Sequence, residues 1–224
     1  MQLVSIPRSV QLHPLWICVA AGLVFGACVS QDTKRDAINA VNAEFKAEYE
    51  VNLAKNGTHV VKANPDCAFD ATVSALVSLG MVIKQQSRAL GFLQAEAPAP
   101  LPATPAEWDR AADTDLPKTR EILRRYIGAL ANLFNFDPQG IDTVITATVI
   151  EVSGGSQVSQ TMRLREVAPS TSDLPRRDYP PPTALKLGLD KIWNALDREV
   201  AKSCKPYVVG AARSTWMQPG HSRT

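Results

Sequence analysis

A chain of 224 residues with 45% hydrophobic and 21% charged side chains has a globular balance and enough length for one self-supporting core. With 24 basic against 22 acidic residues the formal charge is +2, which argues against the concentrated basic footprint of a nucleic-acid binder. Three histidines leave little material for a multi-histidine metal site or a histidine general base.

The first element is an apolar run from Leu15 to Val29, behind a polar leader whose one basic side chain is Arg8. It is shorter than the ~20 residues a helix needs to cross a bilayer, and no basic stop-transfer cluster flanks it. Small residues Gly26 and Ala27 stand directly before Cys28. Basic leader, short apolar core and small-residue cleavage point predict a signal peptide over residues 1–27. An ordinary signal peptide cut near Ala27, with Cys28 incidental, is the alternative.

The stretch "VFGAC" resembles the lipobox of bacterial lipoproteins, in which the cysteine is lipidated and becomes the first residue of the mature chain. That resemblance implies a membrane anchor at Cys28. With Val29 rather than Asp after the cysteine, it also implies an outer-membrane, periplasm-facing location. Cys18 leaves with the leader and Cys28 would carry the lipid, so Cys67 and Cys204 remain as an even pair in an oxidising compartment, which allows one disulfide; two buried thiols are the alternative.

Residues 28–57 are expected to form the lipidated N-terminus and a linker helix. Ile38, Val41, Phe45, Tyr49 and Leu53 recur at helical spacing, although residues 45–55 also alternate as a strand would. The Ala, Glu and Lys content favours helix. An α+β domain is expected over 58–204. It opens with the strand "THVVKA" and a helix capped by Asn64, with Pro65 and Asp66 in its first turn. Phe69, Val73, Leu76 and Val77 form the buried stripe of that helix. "MVIKQQ" and "GFLQAEA" then read as two strands around "SRALG".

A Pro/Ala-rich surface loop is expected over 98–117, with one short helical turn at 105–112. A helix follows at 118–134, on which Ile122, Tyr126, Leu130, Phe134, Leu123, Ile127 and Leu133 share one stripe. "GIDTVITATVIEV" and "SQVSQTMRLREV" flank "SGGS" as a long hairpin. A second Pro-rich loop, 168–182, leads to a last helix with Leu185, Leu189, Ile192, Trp193, Leu196 and Val200 on one face. The tail, 205–224, has no period.

These elements predict an antiparallel sheet of about five strands with helices on one face. Their order, with "AFDATVSALVSLGMVIKQQSRALGFLQAEAP" at its centre, resembles the helix-grip domains of the BamC lipoproteins of outer-membrane barrel assembly. The resemblance covers roughly 58–202 and implies a place and a fold more than a role.

Chemistry is sparse. No nucleophile elbow, phosphate loop, dinucleotide fingerprint or H-E-x-x-H occurs, and no catalytic residue, metal ligand or cofactor is expected. His59 falls in a strand and His221 in the tail. Glu107, Asp109, Asp113 and Asp115 are an acidic cluster without calcium-loop spacing, read as a solvated face. Basic residues gather at Lys118, Arg120, Arg124 and Arg125, and at Arg163, Arg165, Arg176 and Arg177, where a solvated face again outweighs a phosphate site. "LPRRDYPPP" offers Tyr179 either as a docking contact or within a strap that fixes the helix carrying Trp193. The expected function is a non-enzymatic envelope lipoprotein that binds or scaffolds an envelope protein partner. The alternative is a periplasmic carrier of a hydrophobic ligand held between sheet and helix, with Tyr179 and Trp193 as contacts.

Overall fold

The computed structural model describes residues 29–167 and 178–205. The expected signal peptide, Cys28, Arg176, Arg177, most of the second Pro-rich loop and nearly all of the tail lie outside these residues. Helix α1, Gln31–Asn56, starts at Ser30, whose hydroxyl accepts from the Thr33 N–H at 3.1 Å. Strand β1 is Thr58–Val61 and helix α2 is Pro65–Ser78, with Asn64 accepting from the Cys67 N–H at 2.8 Å. Strands β2 (Val82–Ser87) and β3 (Phe92–Pro98) flank a 3-10 turn. Helix α3, Pro105–Ile127, continues into a 3-10 segment, Gly128–Leu133. Strands β4 (Ile141–Val152) and β5 (Gly155–Glu166) form the long hairpin, and helix α4, Pro182–Ser203, closes the fold.

The fold is α+β. One five-stranded antiparallel sheet, in the order β1-β5-β4-β3-β2, carries α2 and α4 on one face. Alternation in β4 sends Ile141, Thr143, Ile145, Ala147 and Val149 inward, and the long helix meets them with Leu185, Leu189, Ile192 and Leu196, all fully buried. Close approach is built in at Gly188, where a Cβ would meet the Met162 Sδ at 2.5 Å. At the β2–β3 connection Gly91 has φ +59° and its carbonyl accepts from the Val149 N–H at 2.7 Å.

Four expectations are corrected. The segment 98–117 is not mainly loop: α3 runs unbroken from Pro105 through Pro117. Its start is a capping box, in which the Thr104 hydroxyl accepts from the Glu107 N–H while the Glu107 carboxylate accepts from the Thr104 N–H at 2.8 Å. Its buried stripe relies on Trp108, Ala111, Ala112, Leu116 and Thr119, and the alanines hid the period. Pro117 is tolerated because Asp113, the residue whose carbonyl loses its helical partner, faces water. Second, the stripe expected at 118–134 breaks where α3 stops at Ile127 and Gly128 takes φ +56°. Leu123 stays buried, but Tyr126, Leu130 and Leu133 are exposed.

Third, α1 is no linker. Ala37, Val41, Phe45 and Tyr49 are buried, and the helix packs along both α3 and α4. Its direction follows from four contacts. Tyr49 meets Tyr179 just before α4, and Asn56 meets Trp193 further along it, so α1 and α4 run parallel. Asp115 and Glu107 of α3 reach Thr183 and Lys191, so α3 runs against both. The N-terminal half of α1 therefore lies beside the C-terminal half of α3. There it builds a second cluster with Leu123, Ala131, Phe136, Ile141 and Leu164. Val77, expected in the α2 stripe, is exposed, and Ala68, Ala71, Thr72 and Ala75 form the buried face with Phe69 and Leu76.

Candidate functional site

Cys67 in the first turn of α2 and Cys204 at the end of α4 form a disulfide with a Cα separation of 5.7 Å. It joins two helices that pack on each other across the same sheet face.

Trp193 is buried, 4% exposed, so it presents no contact surface to a partner. Its indole N–H donates to the Asn56 carbonyl at 2.7 Å, and its ring stacks on His59 at 4.0 Å. Both contacts fasten β1 and the end of α1 to α4. Tyr179 packs edge-on against Tyr49 at 5.2 Å, and the Arg163 guanidinium lies over both rings, 5.1 Å and 5.6 Å from their centroids. The neighbouring Asp178 carbonyl accepts from the Leu164 N–H at 3.2 Å. The described end of the Pro-rich segment is thus a strap along the β5 edge.

The charged groups are dispersed into local pairs. Lys118 bridges Glu44 (2.6 Å) and Glu48 (3.1 Å) of α1, and these bonds hold its ammonium above its ordinary range. Arg120 donates to the Phe134 carbonyl, Arg124 to the Asn132 amide oxygen, and Arg125 pairs with Glu121. Arg165 reaches the Glu96 carboxylate with both Nη atoms and Asp142 with one, which drives the Glu96 carboxyl below its usual range. Asp109 and Asp113 are exposed on α3. Among the described residues no group of three or more His, Cys, Asp or Glu side chains is placed to hold a metal ion.

The remaining two acids flank a cleft of about 340 Å³ between α3 and α4, lined by Glu107, Arg110, Ala111, Thr114, Thr183 and Leu187. Glu107 is bound to Lys191 and to Thr104, and its carboxyl drops to about 2. Such a group is a fixed negative charge at neutral pH and a poor proton donor. Asp115 caps α4 from outside its own helix: the Thr183 N–H and hydroxyl donate to its two oxygens at 2.8 Å and 2.7 Å. Burial pushes its carboxyl up. With Pro181 at the N-cap and no side-chain cap of its own, α4 depends on this bond. The cleft offers cation, carboxylate, hydroxyl and apolar floor, which suits binding a small polar surface.

Two buried polar groups escaped the sequence reading. The Gln160 side chain, 2% exposed, has neither amide atom hydrogen-bonded, and the Thr143 hydroxyl is likewise unpartnered. A signal was present in β5, where Gln160 interrupts the inward series Val158, Met162, Leu164. No protein-family model matches the chain, and no curated protein matches it.

Proposed function

We propose that this chain is a cell-envelope lipoprotein, anchored in the outer membrane through Cys28 and facing the periplasm, whose α+β domain binds another envelope protein without catalysing a reaction. The observation that carries the reading is the apolar run that ends in "GAC" at Cys28. Two structural facts agree with it. The Cys67–Cys204 disulfide suits an oxidising compartment, and no helix among the described residues is long and apolar enough to cross a membrane. An acyl anchor would work by confinement, raising the effective concentration of the domain against membrane-bound partners. Labelled palmitate is expected to enter the wild-type protein and not Cys28→Ser. Equal labelling of the two, or none in either, removes the anchor.

The carrier reading has one observation in its favour, the unpaired Gln160 amide on the sheet face that α4 covers. Ligand sites between apolar layers use a few such polar groups for orientation. The fully buried Ile145 and Leu196 and the contact at Gly188 weigh on the other side, as marks of a closely packed interface. Co-purification of a lipid with the native protein, lost in Gln160→Met, would favour the carrier.

A further inference from the structure

The exposed end of α3 lies where the chain enters the fold. Lys118 of α3 pairs with Glu44 and Glu48 of α1, so the antiparallel course of the two helices carries the end of α3 toward the start of α1, and Ala131 is fully buried in the cluster that also holds Ala37 and Val41. On either side of Ala131 in the chain, Tyr126, Leu130 and Leu133 are 41%, 39% and 80% exposed. Arg125 pairs with Glu121 beside them, and Arg124 is bound to a neutral amide rather than a carboxylate. An amphipathic aromatic and two leucines beside arginines match the chemistry of a membrane interface, where apolar groups enter the acyl boundary and cations meet phosphates.

The covalent geometry selects this occupant over others. One residue, Val29, lies between Cys28 and the Ser30 N-cap, so extended chain allows about 7 Å between anchor and helix. Helix α1 is held by four buried side chains and cannot swing away from the body.

We infer that the tip formed by Tyr126, Leu130 and Leu133 inserts into the headgroup region of the bilayer that holds the Cys28 lipid, fixing the domain in one orientation. This rests on the anchor reading above. The far end of the sheet then points away from the membrane. Ile150, 51% exposed, lies nine residues along β4 from Ile141 of the tip-side cluster, or about 30 Å.

The test uses the processed, lipidated full chain in vesicles of phosphatidylethanolamine and phosphatidylglycerol. Nitroxide labels are placed at Leu133→Cys and, separately, Ile150→Cys. Both positions are exposed, so neither change threatens folding. The expected result is a severalfold higher ratio of oxygen to nickel-complex accessibility at 133 than at 150, falling when Leu130→Asp is added. Equal aqueous accessibility at both sites in a chain that carries palmitate overturns the orientation and leaves the anchor standing. Absence of palmitate on Cys28 removes the anchor and this inference with it. Shielding of position 133 that needs added envelope proteins, and is absent with vesicles alone, assigns the tip to a protein partner and also overturns it.

Discussion

Breaking the Cys67–Cys204 bond is the perturbation whose size the topology sets most directly. The two cysteines are 137 residues apart, and the loop between them holds β2 to β5, α3 and nearly all of α2 and α4. Loop-closure entropy for that length gives about 5 kcal/mol of stabilisation at 25 °C, an upper figure if the unfolded chain keeps residual structure. Against a total of about 5–15 kcal/mol for a folded domain, its loss leaves little margin. Urea unfolding followed by tryptophan fluorescence is a suitable assay, since Trp108 and Trp193 are buried. Cys67→Ala/Cys204→Ala is expected to unfold at a clearly lower midpoint than the oxidised wild type, and reductant should bring the wild type close to the variant. The variant itself should not respond to reductant. A wild-type midpoint that reductant leaves unchanged, together with two alkylatable thiols in the folded protein, would refute the bond and the loop argument.

Three further substitutions probe the rest of the structure. Glu107→Gln removes the ion pair with Lys191 and weakens the capping box, and should cost about 1 kcal/mol at neutral pH by urea unfolding. Because the carboxyl sits near 2 instead of 4.5, its contribution is complete above pH 4.5 and fades as pH falls toward 2. The difference between variant and wild type should therefore shrink over that acid range. Asp115→Ala uncaps α4 and should lose about 1–2 kcal/mol, whereas Asp115→Asn keeps an acceptor, sheds a half-buried charge and should lose less; equal losses would contradict the capping role. Gln160→Met replaces an unpaired buried amide by an apolar group of similar shape. It should stabilise by about 1–3 kcal/mol, and a net destabilisation would mean that the amide has a partner in the native protein.

Where backbone chemistry is local, the fold could be read in advance. Asn64-Pro65 capped α2, "SGGS" turned the long hairpin, and the Leu185–Leu196 face of α4 came out buried. The errors share a cause. In the first half of α3 the inward positions are two alanines and Leu116 beside a single tryptophan, so no strong apolar period announced a helix, and proline frequency suggested loop. Past Ile127 the apolar period continued in sequence while the backbone did not, because Gly128 at φ +56° ends the α-helical turn. Leu130 and Leu133 then lost the register that would have buried them. Tyr179 was expected either as a docking contact or within a strap, and its neighbours Tyr49 and Arg163 come from α1 and β5, so only the fold brings them together.

Integration of α1 into the body changes what a tether can do here. A lipoprotein with a long flexible linker searches a volume that grows with linker length, and its domain meets partners in any orientation. With only Val29 between Cys28 and the helix cap, and α1 fixed by Ala37, Val41, Phe45 and Tyr49, a lipid on Cys28 would leave that search suppressed. The anchored domain would move mainly in the plane of the membrane and show one end outward. Any partner must then reach the end carrying the β4–β5 turn and the exposed Val60 and Ile150, or approach from the side along the α3–α4 cleft. Inserting a flexible Gly-Ser segment between Cys28 and Ser30 separates orientation from anchoring. Palmitate incorporation should be unchanged, while crosslinking to partners in whole cells should fall if orientation matters. Unchanged crosslinking would show that confinement alone suffices.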